Sequence, residues 1–148
     1  LEQAGRKLAN ETYFDRAVTE FKRLLEMDPN DAYALNYLGY LYAERGIQLE
    51  EAVQMLLRAV GLEPDNSAFL DSLGWAYFRL GRLDQAENYL GLALEKLKDS
   101  ADEDQAVIFG HAGDIARALG KVDEARHHWE KALEYAPDDQ VVRRKLGP

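Results

Sequence analysis

Four glycines frame this chain: Gly5, Gly39, Gly74 and Gly113 stand 34, 35 and 39 residues apart. A period of about 20 to 50 residues decides architecture before any local reading, because each unit buries its apolar face only against its neighbours. Aligned on the glycines, residues 31–64 carry Leu35, Leu38-Gly39, Tyr42, Gly46, Ala52, Leu56, Ala59 and Pro64. Residues 66–97 carry Leu70, Leu73-Gly74, Tyr77, Gly81, Ala86, Leu90 and Ala93. Residues 105–137 carry Phe109, Ala112-Gly113, Ala116, Gly120, Ala125, Trp129, Ala132 and Pro137. An incomplete first unit has Leu1, Ala4-Gly5 and Leu8, then Ala17, Phe21, Leu24 and Pro29. The extra residue of the second unit falls between Gly46 and Glu50, and the larger excess lies in the acidic stretch after Lys98.

Helical spacing runs through every unit. Leu70, Leu73, Tyr77 and Leu80 mark one amphipathic helix, Gly81 ends it, and Asp84 opens a second with Ala86, Leu90, Ala93 and Leu94 on one face. Gly74 and Ala86 are small where the paired helices would cross. Asp28-Pro29-Asn30-Asp31 and Pro64-Asp65-Asn66-Ser67 each combine a helix stop with an N-cap for the next helix. The pattern predicts helices over 1–10, 15–27, 31–45, 49–62, 66–80, 84–98, 104–118, 122–135 and 139–146. The third unit lacks a closing proline, having Lys98 instead, so its second helix is expected to run on.

These residues resemble the tetratricopeptide repeat, a 34-residue helix-turn-helix unit with small and large apolar residues at these offsets. The likeness covers nearly the whole chain. It departs where Leu35, Leu70 and Phe109 replace tryptophan. The resemblance implies an all-α fold: a right-handed solenoid of stacked antiparallel helix pairs, its concave face lined by the first helix of each pair. The expected organisation is one array over 1–148, with a partial repeat 1–30, repeats 31–65, 66–99 and 105–138, and the start of a further helix 139–148. The chain begins at Leu1 without methionine and without a basic-then-apolar leader, and reads as a window cut from a longer array.

Charge and composition narrow the function. There are 27 acidic and 18 basic residues, a formal −9, so a phosphate backbone would be repelled and nucleic acid is not expected as a partner. No run approaches the roughly 18 apolar residues of a membrane helix, so no direct membrane insertion of this segment is expected. With no cysteine there is no disulfide, thiolate metal site or cysteine nucleophile. No phosphate loop, HExxH or GxSxG motif occurs. His127 and His128 are sequence neighbours that diverge by about 100° on a helix, which suits a solvated face better than a metal. His111 and Asp114 lie three apart on one helical face and could serve as two metal ligands or an acid–base pair, but no third ligand is evident; polar surface or partner contact is the expected reading. Asp99, Asp102, Glu103 and Asp104 lack the mid-loop glycine and distal glutamate of a calcium loop. No enzyme activity, metal or cofactor is expected.

The resemblance also implies which residues face the groove. Tyr33, Asn36, Tyr37 and Tyr40 come from the second unit, Asp71, Trp75, Phe78 and Arg79 from the third, and His111, Asp114 and Arg117 from the fourth. Aromatics beside polar groups are the composition of an interaction hot spot, with Tyr37, Tyr40, Trp75 and Phe78 as anchors. Family members that grip a terminal carboxylate use lysine, arginine and asparagine; the matching positions here read Asn36, Tyr40, Ser72, Val107 and His111, without the cationic clamp. A narrower likeness, at Asp71-Ser72-Leu73-Gly74-Trp75 and at His111-Ala112-Gly113-Asp114, is to bacterial outer-membrane tetratricopeptide lipoproteins. It implies a periplasmic location, with the cytoplasm as alternative. The expected function is a non-enzymatic scaffold that binds a protein or peptide segment in its groove; the alternative is a self-associating array forming a homo-oligomer.

Overall fold

The computed structural model describes residues 2–97 and 102–148. Leu1 and the part of the acidic stretch at 98–101, with Lys98 and Asp99, lie outside the described residues. Among the described residues there are eight helices and no strand: α1 Glu2–Met27, α2 Ala32–Arg45, α3 Leu49–Leu62, α4 Ser67–Arg79, α5 Leu83–Glu95, α6 Asp102–Ala118, α7 Val122–Tyr135 and α8 Gln140–Leu146. Helices α2 and α3, α4 and α5, and α6 and α7 form antiparallel pairs, and each pair stacks on the next.

Local chemistry explains the boundaries. Asp31, Asn66 and Asp139 cap α2, α4 and α8, their side chains accepting from Ala34 N, Phe69 N and Val141 N at 3.0, 3.2 and 3.0 Å. Each pair turns through one glycine in the left-handed region: Gly46, Gly81 and Gly120, at φ 67, 80 and 77°. The next amide closes the turn, Ile47 N to Tyr42 O at 3.0 Å, Arg82 N to Tyr77 O at 2.9 Å and Lys121 N to Ala116 O at 2.9 Å.

The helix crossings are built on a second set of glycines. A Cβ on Gly39 would stand 2.7 Å from Leu56 Cγ; one on Gly74 would strike Leu90 and one on Gly113 the indole of Trp129. The continuous core runs from Ala43, Val53 and Leu56 through Leu73 and Leu90 to Ile108 and Ile115, crossing three units. Exposed ion pairs, Arg82–Glu50 (3.4 Å) and Lys121–Glu87 (2.5 Å), tie the turns after Gly81 and Gly120 to the preceding unit, contributing little individually.

Two expectations are corrected. The helices expected at 1–10 and 15–27 are one, α1, unbroken from Glu2 to Met27. Seven residues beyond Gly39, Gly74 and Gly113 stands the turn glycine; seven beyond Gly5 stands Thr12, whose hydroxyl bonds back to Leu8 O at 3.0 Å. With no residue suited to positive φ, the helix continues. Nor does α5 run on: it ends at Glu95, the Lys96 amide bonding Leu92 O and Ala93 O at 3.1 and 3.2 Å.

Gly74→Leu and Ala86→Leu are expected to overpack the α4–α5 crossing and destabilise the protein by roughly 1–3 kcal/mol each. Denaturant unfolding measures this, and wild-type stability in both variants would contradict the crossing described.

Candidate functional site

The first helices α2, α4 and α6 lie side by side and form one wall of the molecule. Between them is a groove pocket of about 390 Å³ lined by Tyr33, Asn36, Tyr37 and Tyr40 of α2, Ala68, Phe69, Asp71 and Ser72 of α4, Val107 and Ile108 of α6, and the helix-start residues Asn66 and Asp104. Five of the expected site residues therefore converge there. Tyr33 and Tyr37 are the exposed ones, at 56% and 52%. Both rings are held from behind: Tyr37 stacks on Phe21 of α1 at 5.6 Å, and Tyr33 meets the edge of Phe69 at 5.4 Å. Such support holds an exposed ring in place and limits the rotamer entropy lost on binding.

Beneath this surface lies a polar layer. Asp71 on α4 and His111 on α6 are 4% and 8% exposed, with His111 Nδ1 2.8 Å from Asp71 Oδ1. Trp75 stacks on the His111 ring at 4.0 Å between centroids and contacts Phe78 at 4.9 Å, while Tyr40 approaches His111 at 6.2 Å. Burial alone pulls the His111 pKa down; the charge and hydrogen bond of Asp71, with Glu44 and Asp114 farther off, outweigh it and hold the imidazole above its ordinary value. Burial, then the charges of Glu44 and Asp71, pushes the Tyr40 hydroxyl above its ordinary value, so it stays protonated. Asn36 is 6% exposed, and its Oδ1 is buried without a hydrogen-bond partner.

The remaining site candidates have other contacts. Trp75 and Phe78 are half-buried against the core outside the pocket lining, and Trp75 Nε1 is buried without a partner. Arg79 donates to Ala43 O at the end of α2, 3.0 Å away. Asp114 accepts from Trp129 Nε1 at 3.1 Å and from Lys145 Nζ at 2.8 Å. Arg117 lies 5.1 Å from the Trp129 ring centroid. His111, expected at the polar surface, is thus buried, and it turns to Asp71 while Asp114 turns to α7 and α8. The two do not converge on one ligand position. His127 is exposed, but His128 is half-buried, 6.1 Å from Phe109. Asp102 and Asp104 sit in the first turn of α6, where they complement the helix dipole. Sequence reasoning missed Phe69, Ile108, Asn66 and Asp104 as lining; the last two were visible only as residues at helix starts.

Three family models, each described as a tetratricopeptide repeat, match residues 20–54, 47–106 and 106–139 and together run unbroken from 20 to 139. The chain belongs to the tetratricopeptide repeat family. It is 41% identical over 80 residues to the TPR repeat-containing protein PA4667 of Pseudomonas aeruginosa, which covers 54% of this chain and 14% of that protein. It is 27% identical over 122 residues to RNA polymerase II-associated protein 3 of Mus musculus, covering 82% and 18%. The chain thus spans less than a fifth of either relative. Among solved structures, that of MamA superposes with a TM-score of 0.70 at 25% identity, over 97% of this chain and 80% of that one. The first TPR of Spaghetti (RPAP3) bound to the HSP90 peptide SRMEEVD superposes at 0.68 and 25%, over 80% and 90%. The Cut9-Hcn1 structure reaches 0.82 at 20% identity, which speaks to the fold alone.

Two tests follow from the buried groups. The stabilisation from a histidine whose folded pKa is raised is complete below the unfolded value of 6.5 and is lost as pH rises through the folded value. Between about pH 6 and pH 8, the melting temperature of the wild type should fall relative to that of His111→Asn; parallel curves would contradict the Asp71–His111 pair. Asp114→Ala strands Trp129 Nε1 and Lys145 and should destabilise the protein by roughly 1–3 kcal/mol in denaturant unfolding.

Proposed function

We propose that this chain is a non-enzymatic protein-interaction scaffold whose groove receives an extended segment of a protein partner. One observation carries the reading: the exposed rings of Tyr33 and Tyr37, backed by Phe69 and Phe21, flank a groove pocket lined by residues of all three first helices. The tyrosines offer apolar area and a hydroxyl on the same ring, which suits the side chains of an extended partner segment. Asp71 and Trp75 act beneath, through the His111 layer, and Phe78, Arg79, Asp114 and Arg117 extend the same face.

Charge selects among segments. Among the described residues, the charged side chains lining the pocket are Asp71 and Asp104, so a neutral or basic segment suits it better than an acidic tail. The likeness to the RPAP3 domain bound to an HSP90 peptide supports peptide binding by this fold. The clamp positions Asn36, Tyr40, Ser72, Val107 and His111 argue for a ligand other than a carboxylate-terminated tail. The same acidity speaks against nucleic acid.

Panning a random peptide library on the immobilised chain, then measuring affinities by fluorescence anisotropy, tests this. Tyr37→Ala should weaken the selected peptides by about 2 kcal/mol, while His127→Ala on the opposite helices should change binding by less than about 0.5 kcal/mol. Silent groove variants with a damaging His127→Ala would move the interface to the other face.

A further inference from the structure

The pocket between α2, α4 and α6 joins aromatic rings to charge of one sign. Asp71 of α4 and Asp104 of α6 line it, and among the described residues no lysine or arginine does so. Opposite them Tyr33, Tyr37 and Tyr40 stand at steps of four and three on one face of α2. Tyr33 and Tyr37 are more than half exposed, so their rings are open to a ligand, while Phe69 and Phe21 hold them from behind.

The two carboxylates differ. Asp71 is 4% exposed and gives Oδ1 to His111 Nδ1 at 2.8 Å, which orients the group and leaves Oδ2 as the acceptor for a further donor. Asp104 is exposed in the first turn of α6; the helix dipole accounts for its sign and leaves its oxygens open to a ligand. A protonated His111 neutralises Asp71 alone, and Asp104 keeps the pocket negative.

These features select among side chains. A volume of about 390 Å³ falls within the range of pockets that enclose small ligands, about 300–1,000 Å³. An apolar side chain filling it would strip water from the carboxylates and return no donor. An acidic one would be repelled. An ammonium answers the charge as a compact, strongly hydrated point and makes poor use of the rings. A guanidinium is planar and carries five donors on its edge, so it can lie on a tyrosine face while that edge donates to a carboxylate.

We propose that this pocket is an arginine subsite: the partner segment in the groove places one arginine there, its guanidinium stacked on the tyrosines of α2 and donating to Asp71 Oδ2 and Asp104. The assignment rests on the groove reading above and adds the chemistry of one partner residue to it.

Pools of short peptides, random except for a central arginine, citrulline, lysine, leucine or glutamate, test it by their retention on the immobilised chain. The arginine pool should be retained at least about tenfold more than the citrulline pool, which keeps the shape and loses the charge. It should also exceed the lysine pool, which the chain's formal −9 attracts equally. Asp104→Asn should weaken retention of the arginine pool about threefold. Asp123→Asn, an equal loss of charge at an exposed position in the first turn of α7, should leave it unchanged. Asp104 is the position varied because Asp71 also holds His111, and its loss would disturb the packing of α4 on α6. Equal retention of the arginine and citrulline pools overturns the arginine subsite, as does a preference for lysine, leucine or glutamate, or indifference to Asp104→Asn. In each of those cases Tyr37→Ala decides the groove reading separately: weakened retention of the bound pools upholds it, and unchanged retention removes it as well.

Discussion

The contact on which this molecule depends is a large side chain seated where a Cβ is missing. Leu56, Leu90 and Trp129 each lie against the bare backbone of Gly39, Gly74 or Gly113, which brings the two helices of a unit close enough to bury Ala52, Ala86 and Ala125 to about the last ångström of their surface. The close pair then offers a continuous apolar flank to the next unit. In the third of these contacts an indole replaces leucine, and its N–H is satisfied by Asp114, so the larger knob brings a polar requirement that the same unit meets.

What could be read from residues and what could not divides along this line. The period, the crossing glycines and the turn glycines are local signals, and α3 and α7 fall where the pattern put them. Asp31 and Asn66 cap as expected because an N-cap depends on four consecutive residues. The unit-one turn was misread because Gly5 and Leu8 imitate the motif while the residue that must turn, Thr12, does not. The burial of His111 was illegible for a different reason. Helical periodicity reports which face a residue occupies, and depth on that face depends on Asp71, 40 residues earlier. The tyrosines of α2 were legible as groove residues, whereas their backing by Phe21 and Phe69 required the angle between helices.

The groove helices are also cross-linked without covalent bonds. Arg79 reaches from α4 to the carbonyl of Ala43 near the end of α2, where the helix dipole favours a cation, and Asp71 joins α4 to α6 through His111. Each link involves a charged side chain; the Asp71–His111 pair is buried, whereas Arg79 stays exposed. The angle between successive units is therefore set by specific partners as well as by apolar stacking, which alone would tolerate some slip.

That arrangement has a kinetic meaning. A superhelix free to flex would have to surrender breathing motion whenever a ligand settled, and the entropic penalty would appear in every complex it formed. Here the pitch between the three groove helices is already chosen before anything arrives. Segments bound as proposed would then differ from one another mainly in how long they stay, because the links between the first helices lessen the rearrangement that arrival demands.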